Sequence, residues 1–247
     1  MFTNTGVSLL GAQPSGGGGG GVYQTGLKAH WDAGNAASYP GTGTTMFDLS
    51  GNGNDGTLKN GATYNASLNG GAIQTFGGGD SIQNLNNFMN GTKDWTIQVI
   101  SQYKTFLNFR RLWGGIMAGD SGDCGYASPT QVRVLGSGGG QGFWTTFGVG
   151  SFVQNAITMY TYQCNNVPNP SSRRWYTNLN NISFNGENAQ DQGSQNAAVL
   201  GVTWCGNVRG GEGQAADNYV LLMYEGALGI NEITQNYNFY QAKYNLP

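Results

Sequence analysis

Hydrophobic and polar residues alternate with a period of two along most of this chain, and that period predicts strands. In Trp95–Ser101, Trp95, Ile97 and Val99 take one face, and Thr96 and Gln98 the other. The segment 130–136 carries Val132 and Val134 at the same spacing. In Ala156–Cys164, Ile157 and Met159 oppose Tyr160 and Tyr162. The stretch 173–184 reads as a strand, a turn at Asn180-Asn181 and a returning strand. Two runs, 197–202 and 218–226, are more continuously apolar, as central strands of a sandwich would be. A turn signal about every ten residues separates these segments, which predicts packed antiparallel sheets.

One segment breaks the period. Ile230, Ile233, Tyr237, Tyr240 and Tyr244 are spaced three and four apart, the stripe of an amphipathic helix. Gly229 falls at its N-cap with Glu232 three residues on, and Leu228 with Ile233 makes a candidate hydrophobic staple. The aromatic stripe is read as core packing. At the other end, residues 1–25 are read as an arm. Phe2, Val7, Leu9 and Leu10 are its apolar residues, and Gly16–Gly21 form a flexible tether to a domain spanning 26–247.

Composition supports the strand reading. Of 247 residues, 43 are glycine and 12% are aromatic, and only 10% are charged against about 25% in an ordinary domain. A chain of this length fits one large all-β domain with a sizeable core. The net charge of −2, with Arg110-Arg111 and Arg173-Arg174 as isolated pairs, offers no basic surface for nucleic acid. No apolar run reaches the ~20 residues of a membrane span, and the N-terminus lacks the basic and apolar regions of a secretory signal. Synthesis in a cytoplasm is expected. Cys124, Cys164 and Cys205 lack paired metal-ligand spacing and are read as free thiols, with a single disulfide among them left open.

The run Phe47–Gly61, "FDLSGNGNDGTLKNG", resembles a calcium loop in its alternating oxygen side chains. Asp48, Asn52 and Asp55 are the candidate ligands. Lys59, however, occupies the position where such a loop needs a bidentate glutamate. The turn reading is therefore preferred: Asp and Asn side chains bond their own backbone while glycines supply positive φ. No metal or other cofactor is expected.

For catalysis, Trp95–Ser101 holds no carboxylate, and Glu187, Glu212, Glu225 and Glu232 each stand alone. Paired carboxylates on one strand are what glycoside hydrolysis needs. The sole histidine, His30, shares a strand face with Asp32 and makes the only base–acid candidate. No enzymatic activity is expected. For sugar binding, Tyr126, Gln141, Phe143 and Trp144 lie in glycine-rich segments, where rings stack on a pyranose and an amide bonds its hydroxyls. The same residues suit a subunit interface, and both readings stay open.

Two segments carry a family resemblance. "GLKAHWDAGNAASYPGTGTTMFDLSGNGNDGTLKNGATYN" with "GGAIQTFGGGDSI" resembles the opening of the LamG-like, concanavalin A-like jelly-roll domains of tailed-phage and other viral structural proteins. "NYVLLMYEGALGINEITQNYNFYQAKYNLP" is similar to their closing strand and helix. The resemblance implies an antiparallel β-sandwich jelly roll whose first and last strands pair, with calcium bound in only some relatives. Those relatives often show an acidic pair where this chain has "FGGGDSI". It further implies a virion structural protein, such as a head decoration, fibre or tail-fibre component, located in the particle. Its expected partners are copies of itself and other virion proteins, with the arm used in assembly. A lectin-like module for host-surface glycans is the alternative.

Overall fold

The computed structural model describes residues 20–84, 86, 94–105, 111–115, 124–128, 131–138, 141–164, 173–182, 184–187, 202–205 and 213–247. Side chains are described throughout these except for residues 115, 124–128, 131, 133–138, 141–146 and 184–187. The strands in chain order are β1 Leu27–Asp32, β2 Thr45–Met46, β3 Gly56–Lys59, β4 Thr63–Asn65, β5 Ala72–Gly78, β6 Ser81–Asn84, β7 Trp95–Tyr103, β8 Arg111–Gly115 and β9 Cys124–Ser128. They continue as β10 Gln131–Gly138, β11 Gln141–Phe147, β12 Thr158–Cys164, β13 Arg174–Thr177, β14 Asn180–Ile182, β15 Phe184–Glu187, β16 Val202–Trp204 and β17 Gly213–Glu225. One helix follows, α1, Ile230–Tyr244.

The pairings define an all-β sandwich. In the first sheet β17 is central, with β7, β12, β13 and β14 following on one side. On its other side β17 pairs with β5 in its first half and β1 in its second, and β4 extends β5. The second sheet runs β2, β3, β6, β16, β8, β9, β10, β11, β15. All these pairs are antiparallel. The layers join where Gly213 of β17 meets Arg111 of β8 in a single parallel bridge. First and last strands pair, as the resemblance implied: Trp31 lies opposite Leu221 and Asp32 opposite Val220.

Between the sheets lies an aromatic core. Trp31, Ile97, Val99, Tyr160, Tyr162, Trp175, Leu221 and Met223 of the first sheet meet Leu58, Ile82, Trp113, Val132, Phe147 and Trp204 of the second. Trp113 stacks on Trp175 at 5.5 Å and an interplanar angle of 9°. Large rings suit this layer because each removes much apolar area from water, about 25 cal/mol per Å².

The first sheet is buried on its other face too. Ile233, Tyr237, Tyr240 and Tyr244 of α1 cover Leu27, Ile100, Met159, Val220, Leu222 and Tyr224. This explains why 218–226 reads as continuously apolar: its two alternating faces are both covered. The alternation in β12 holds, with Met159 under the helix and Tyr160 and Tyr162 in the inter-sheet core. The polar face of β7 is buried with its partners. Gln98 accepts from Asn236 Nδ2 at 2.5 Å and donates to Thr161 Oγ1 at 2.9 Å. Thr96 Oγ1 donates to the carbonyl of Gly226 and accepts from the N–H of Leu228.

Some boundaries move. Ile230, the first residue of the stripe, is 48% exposed, while Asn236 is fully buried within the helix face. Gly229 is the N-cap without a side-chain bond, and Leu228 and Ile233 are both buried in one cluster, as a staple requires. The turn expected at Asn180-Asn181 lies two residues earlier. Asn178 takes φ 54° there, a left-handed conformation that asparagine tolerates, and Asn180 already belongs to β14. The packed domain also begins before residue 26: Val22 is buried, and Tyr23 donates its N–H to Asn236 Oδ1 at 2.7 Å. Residues 22–25 therefore belong with the sandwich rather than with a free arm. Phe2, Val7, Leu9 and Leu10 lie outside the described residues.

Candidate functional site

The turn after β2 is built on Asp48. Its Oδ1 accepts the N–H groups of His30 and Ser50, each at 2.9 Å. Its Oδ2 accepts the Ser50 hydroxyl at 2.6 Å and the Asn54 N–H at 3.0 Å. Asp55 Oδ1 in turn accepts the N–H of Asp48, and Asn52 donates to the carbonyl of Leu27. Gly51 and Gly53 take φ 84° and 73°, which lets the chain fold around the carboxylate. The alternating oxygens thus serve backbone and side-chain donors of the loop itself, and the turn is a clasp on β1. Among the described residues no group of three or more His, Cys, Asp or Glu side chains is placed to hold a metal ion.

His30 and Asp32 both face α1, but each is committed to it. His30 Nε2 shares a 2.6 Å hydrogen bond with the Tyr240 hydroxyl. Asp32 accepts from Lys243 Nζ at 2.9 and 2.7 Å through its two oxygens, from the Gly34 N–H at 3.1 Å, and from the Tyr244 hydroxyl. Burial brings the imidazole down to about 4, against the pull of Asp32 and Asp48, so His30 is neutral at pH 7. Burial with the Asp32 charge alongside pushes the Tyr240 and Tyr244 hydroxyls up. The base–acid pair is therefore a latch between the first strand and the helix. Cys164 and Cys205 are buried thiols, and burial pushes both up to about 12, which makes them inert.

The sugar-site candidates lie on three neighbouring strands of the second sheet, and the register divides them. Val132 pairs with Tyr126 on β9, Leu135 with Trp144, Gly136 with Phe143 and Gly138 with Gln141 on β11. Val132 is in the inter-sheet core, and cross-strand partners share a face. Alternation along β10 and β11 then places Tyr126, Phe143 and Gln141 at core-side positions and Trp144 on the outward face. Tyr126 and Gln141 also stand near opposite ends of β10. Six residues separate their partners, about 20 Å at 3.3 Å per residue. The four do not converge on one spot. Gln141, Phe143 and Trp144 share β11.

No family model and no curated protein sequence matches this chain. Solved structures do. The Trypanosoma rangeli sialidase in complex with the inhibitor DANA matches with a TM-score of 0.62 at 13% identity, over 89% of this chain and 34% of that one. This chain therefore spans about a third of the sialidase. Domain 4 of AbnA, a GH43 extracellular arabinanase from Geobacillus stearothermophilus, in complex with arabinotriose, matches at 0.53 and 16% identity, over 87% of this chain and 99% of that domain. The binding domain of Paraclostridial Mosquitocidal Protein 1 matches at 0.60 and 16% identity, over 87% and 52%. At these identities the likeness is one of fold, and it agrees with the all-β sandwich built above.

Proposed function

We propose that this chain is a non-catalytic, glycan-binding β-sandwich module. The observation that carries the reading is the end-to-end correspondence with a separate domain solved with arabinotriose, of which 99% is matched. A second likeness is to a toxin's binding domain. The commitment of His30 and Asp32 to α1 supports the non-catalytic part. Trp144 of β11 supplies the recognition chemistry in this reading, since an indole offers the flat apolar surface that stacks on a sugar ring. The test is a glycan array with Trp144→Ala and Phe143→Ala. Trp144→Ala is expected to abolish binding with the melting temperature unchanged, whereas Phe143→Ala is expected to lower the melting temperature. An unmodified protein that binds nothing on a broad array would sink the reading.

Assignment to a virion, as decoration, fibre or tail-fibre component, is the second reading, and it rests on the sequence resemblance. One structural observation favours an attachment role for residues 1–19. The chain is pinned just after them, with Gln235 Nε2 donating to the Gly21 carbonyl at 2.9 Å and Tyr224 donating to the Tyr23 carbonyl at 3.0 Å. In this reading copies of the chain and other virion proteins are the partners. Purified particles lacking this chain once residues 1–19 are removed would support it; normal incorporation would remove it.

A further inference from the structure

The outer face of the first sheet is covered by α1 as far as Tyr219 of β17, whose ring meets that of Tyr244 at 5.0 Å. Toward the start of β17 the same face turns polar. Asp217 lies opposite Gln74 of β5 on one side and Gln102 of β7 on the other, all three alternating with residues of the inter-sheet core. One row further on, Phe76 lies opposite Ala215, whose carbonyl accepts the N–H of Lys104 at 2.9 Å. Neighbouring strands stand about 4.8 Å apart, so Phe76 and Lys104 flank a slot about 10 Å wide, floored by the small side chain of Ala215. Gln74, Asp217 and Gln102 form its back wall.

Phe76 keeps 64% of its surface in water, the most exposed ring among the described residues. Its backbone is nevertheless fixed. The Phe76 N–H bonds Asp80 Oδ2 at 3.0 Å, and Asp80 Oδ1 accepts the Gly61 N–H at 2.8 Å, which ties the turn after β5 to the turn after β3. Gly77 and Gly78 follow at φ 100° and 64°, where glycine is favoured and no side chain shades the ring.

The back wall is held by its own bonds. Gln74 Nε2 donates to Asp217 Oδ1 at 2.8 Å, and Lys104 Nζ lies 2.6 Å from Asp217 Oδ2. Lys104 also donates to Gln102 Oε1 at 2.5 Å, and Gln102 Nε2 to the Asn155 carbonyl at 2.9 Å. An amide nitrogen carries two N–H donors and an ammonium three. One donor therefore remains on each of Gln74, Gln102 and Lys104, and all three side chains are half-buried rather than closed off. Donors fixed in advance beside an exposed ring suit a saccharide: the ring takes its apolar C–H face and the donors its hydroxyl oxygens. Asp217 already answers the charge of Lys104, so the slot fits a neutral sugar better than an anion.

We infer that this slot, Phe76 with Gln74, Gln102 and Lys104, is a second sugar site that takes one or two units of a neutral saccharide. The inference rests on the glycan-binding reading and adds to Trp144, on the second sheet, a weaker site with a Kd of about 1 mM. Such a site does not hold the protein on an array alone; it adds to binding when both sites engage one surface.

Amide NMR titrations of the intact protein with arabinotriose, cellotriose and mannotriose, carried into the millimolar range, test it. The expected result is that at least one trisaccharide saturably shifts the signals of Phe76, Ala215 and Lys104, in the unmodified protein and in Trp144→Ala alike. Phe76→Ala is expected to weaken this binding tenfold or more, Phe76→Trp to keep it, and NaCl from 50 to 500 mM to change it less than twofold. The shifts in the unmodified protein locate the sugar without any variant, so a misfolded alanine variant does not spoil the test. Shifts confined to other parts of the protein, or binding undiminished in a folded Phe76→Ala, overturn the inference and leave the glycan reading standing. No shift with any of the three sugars overturns the inference, and failure across the broad array removes the glycan reading as well.

Discussion

Lys243 near the end of α1 holds both carboxylate oxygens of Asp32 on β1, at 2.9 and 2.7 Å across 211 residues of sequence. Asp32 is almost fully buried, while the lysine side chain keeps 32% of its surface in water. The two ends of the described domain are thus joined by a charge pair of which only one member is dry. Removing the wet member strands the dry one, and that asymmetry decides the outcome of substitution.

Lys243→Met is expected to destabilise the protein by about 3 kcal/mol, near the lower end for breaking a buried pair because Gly34 and Tyr244 still bond the carboxylate. That corresponds to a melting temperature lowered by about 6–12 °C for a domain of this size. Asp32→Asn with Lys243→Met is expected to recover part of the loss, since no charge is then left buried. A thermal double-mutant cycle measures it, and an additive cycle would show that the pair is not coupled.

His30 gives a pH dependence with a definite sign. Its folded pKa, about 4, lies below the 6.5 of the unfolded chain, so the unfolded state binds more protons between those values. The contribution of neutral His30 is complete above pH 6.5 and is lost as pH falls toward 4. The whole shift corresponds to roughly 3 kcal/mol at 1.36 kcal/mol per unit. Urea titrations at pH 7, 5.5 and 4.5 are expected to show a steeper acid loss for the unmodified protein than for His30→Gln. Parallel slopes would show that the imidazole does not set this loss.

Asp48 tests the clasp. EDTA is expected to leave the melting temperature unchanged, because the carboxylate already accepts four hydrogen bonds from the chain. Asp48→Ala is expected to cost about 2–3 kcal/mol, since it frees the N–H groups of His30 and Asn54 together. A melting temperature that drops in EDTA and returns with calcium would make this loop a cation site after all.

What could be read in the sequence was local. The strand faces of β7 and β12 followed from alternation, the helix from its spacing of threes and fours, and the Asp48 clasp from residues within one loop. The resemblance supplied the pairing of first and last strands. What could not be read was set by partners far away in the chain. Nothing near Gln98 announces that Asn236 will bury it. His30 and Asp32 read as a base–acid pair because their spacing puts them on one face. Only Tyr240 and Lys243, more than 200 residues later, turn them into a latch. The glycine-rich segments that hold the sugar candidates form strands β9 and β11, which their local composition does not announce.

The start of the domain makes the last prediction. Val22 is buried against the helix cluster, and Tyr23 is bonded at both its N–H and its carbonyl, to Asn236 and Tyr224. Burying a valine contributes about 1.5–3 kcal/mol, and each hydrogen bond about 1 more. A chain starting at Gly20 keeps all of this, so it is expected to melt with the full-length protein. A chain starting at Gly26 loses it and leaves the buried Asn236 amide short of a donor, and it is expected to melt about 8–15 °C lower. Differential scanning calorimetry on the two shortened proteins decides the point. Equal melting temperatures would return residues 22–25 to the arm, and a loss already present in the longer of the two would show that residues 1–19 contribute to the stability of the fold itself.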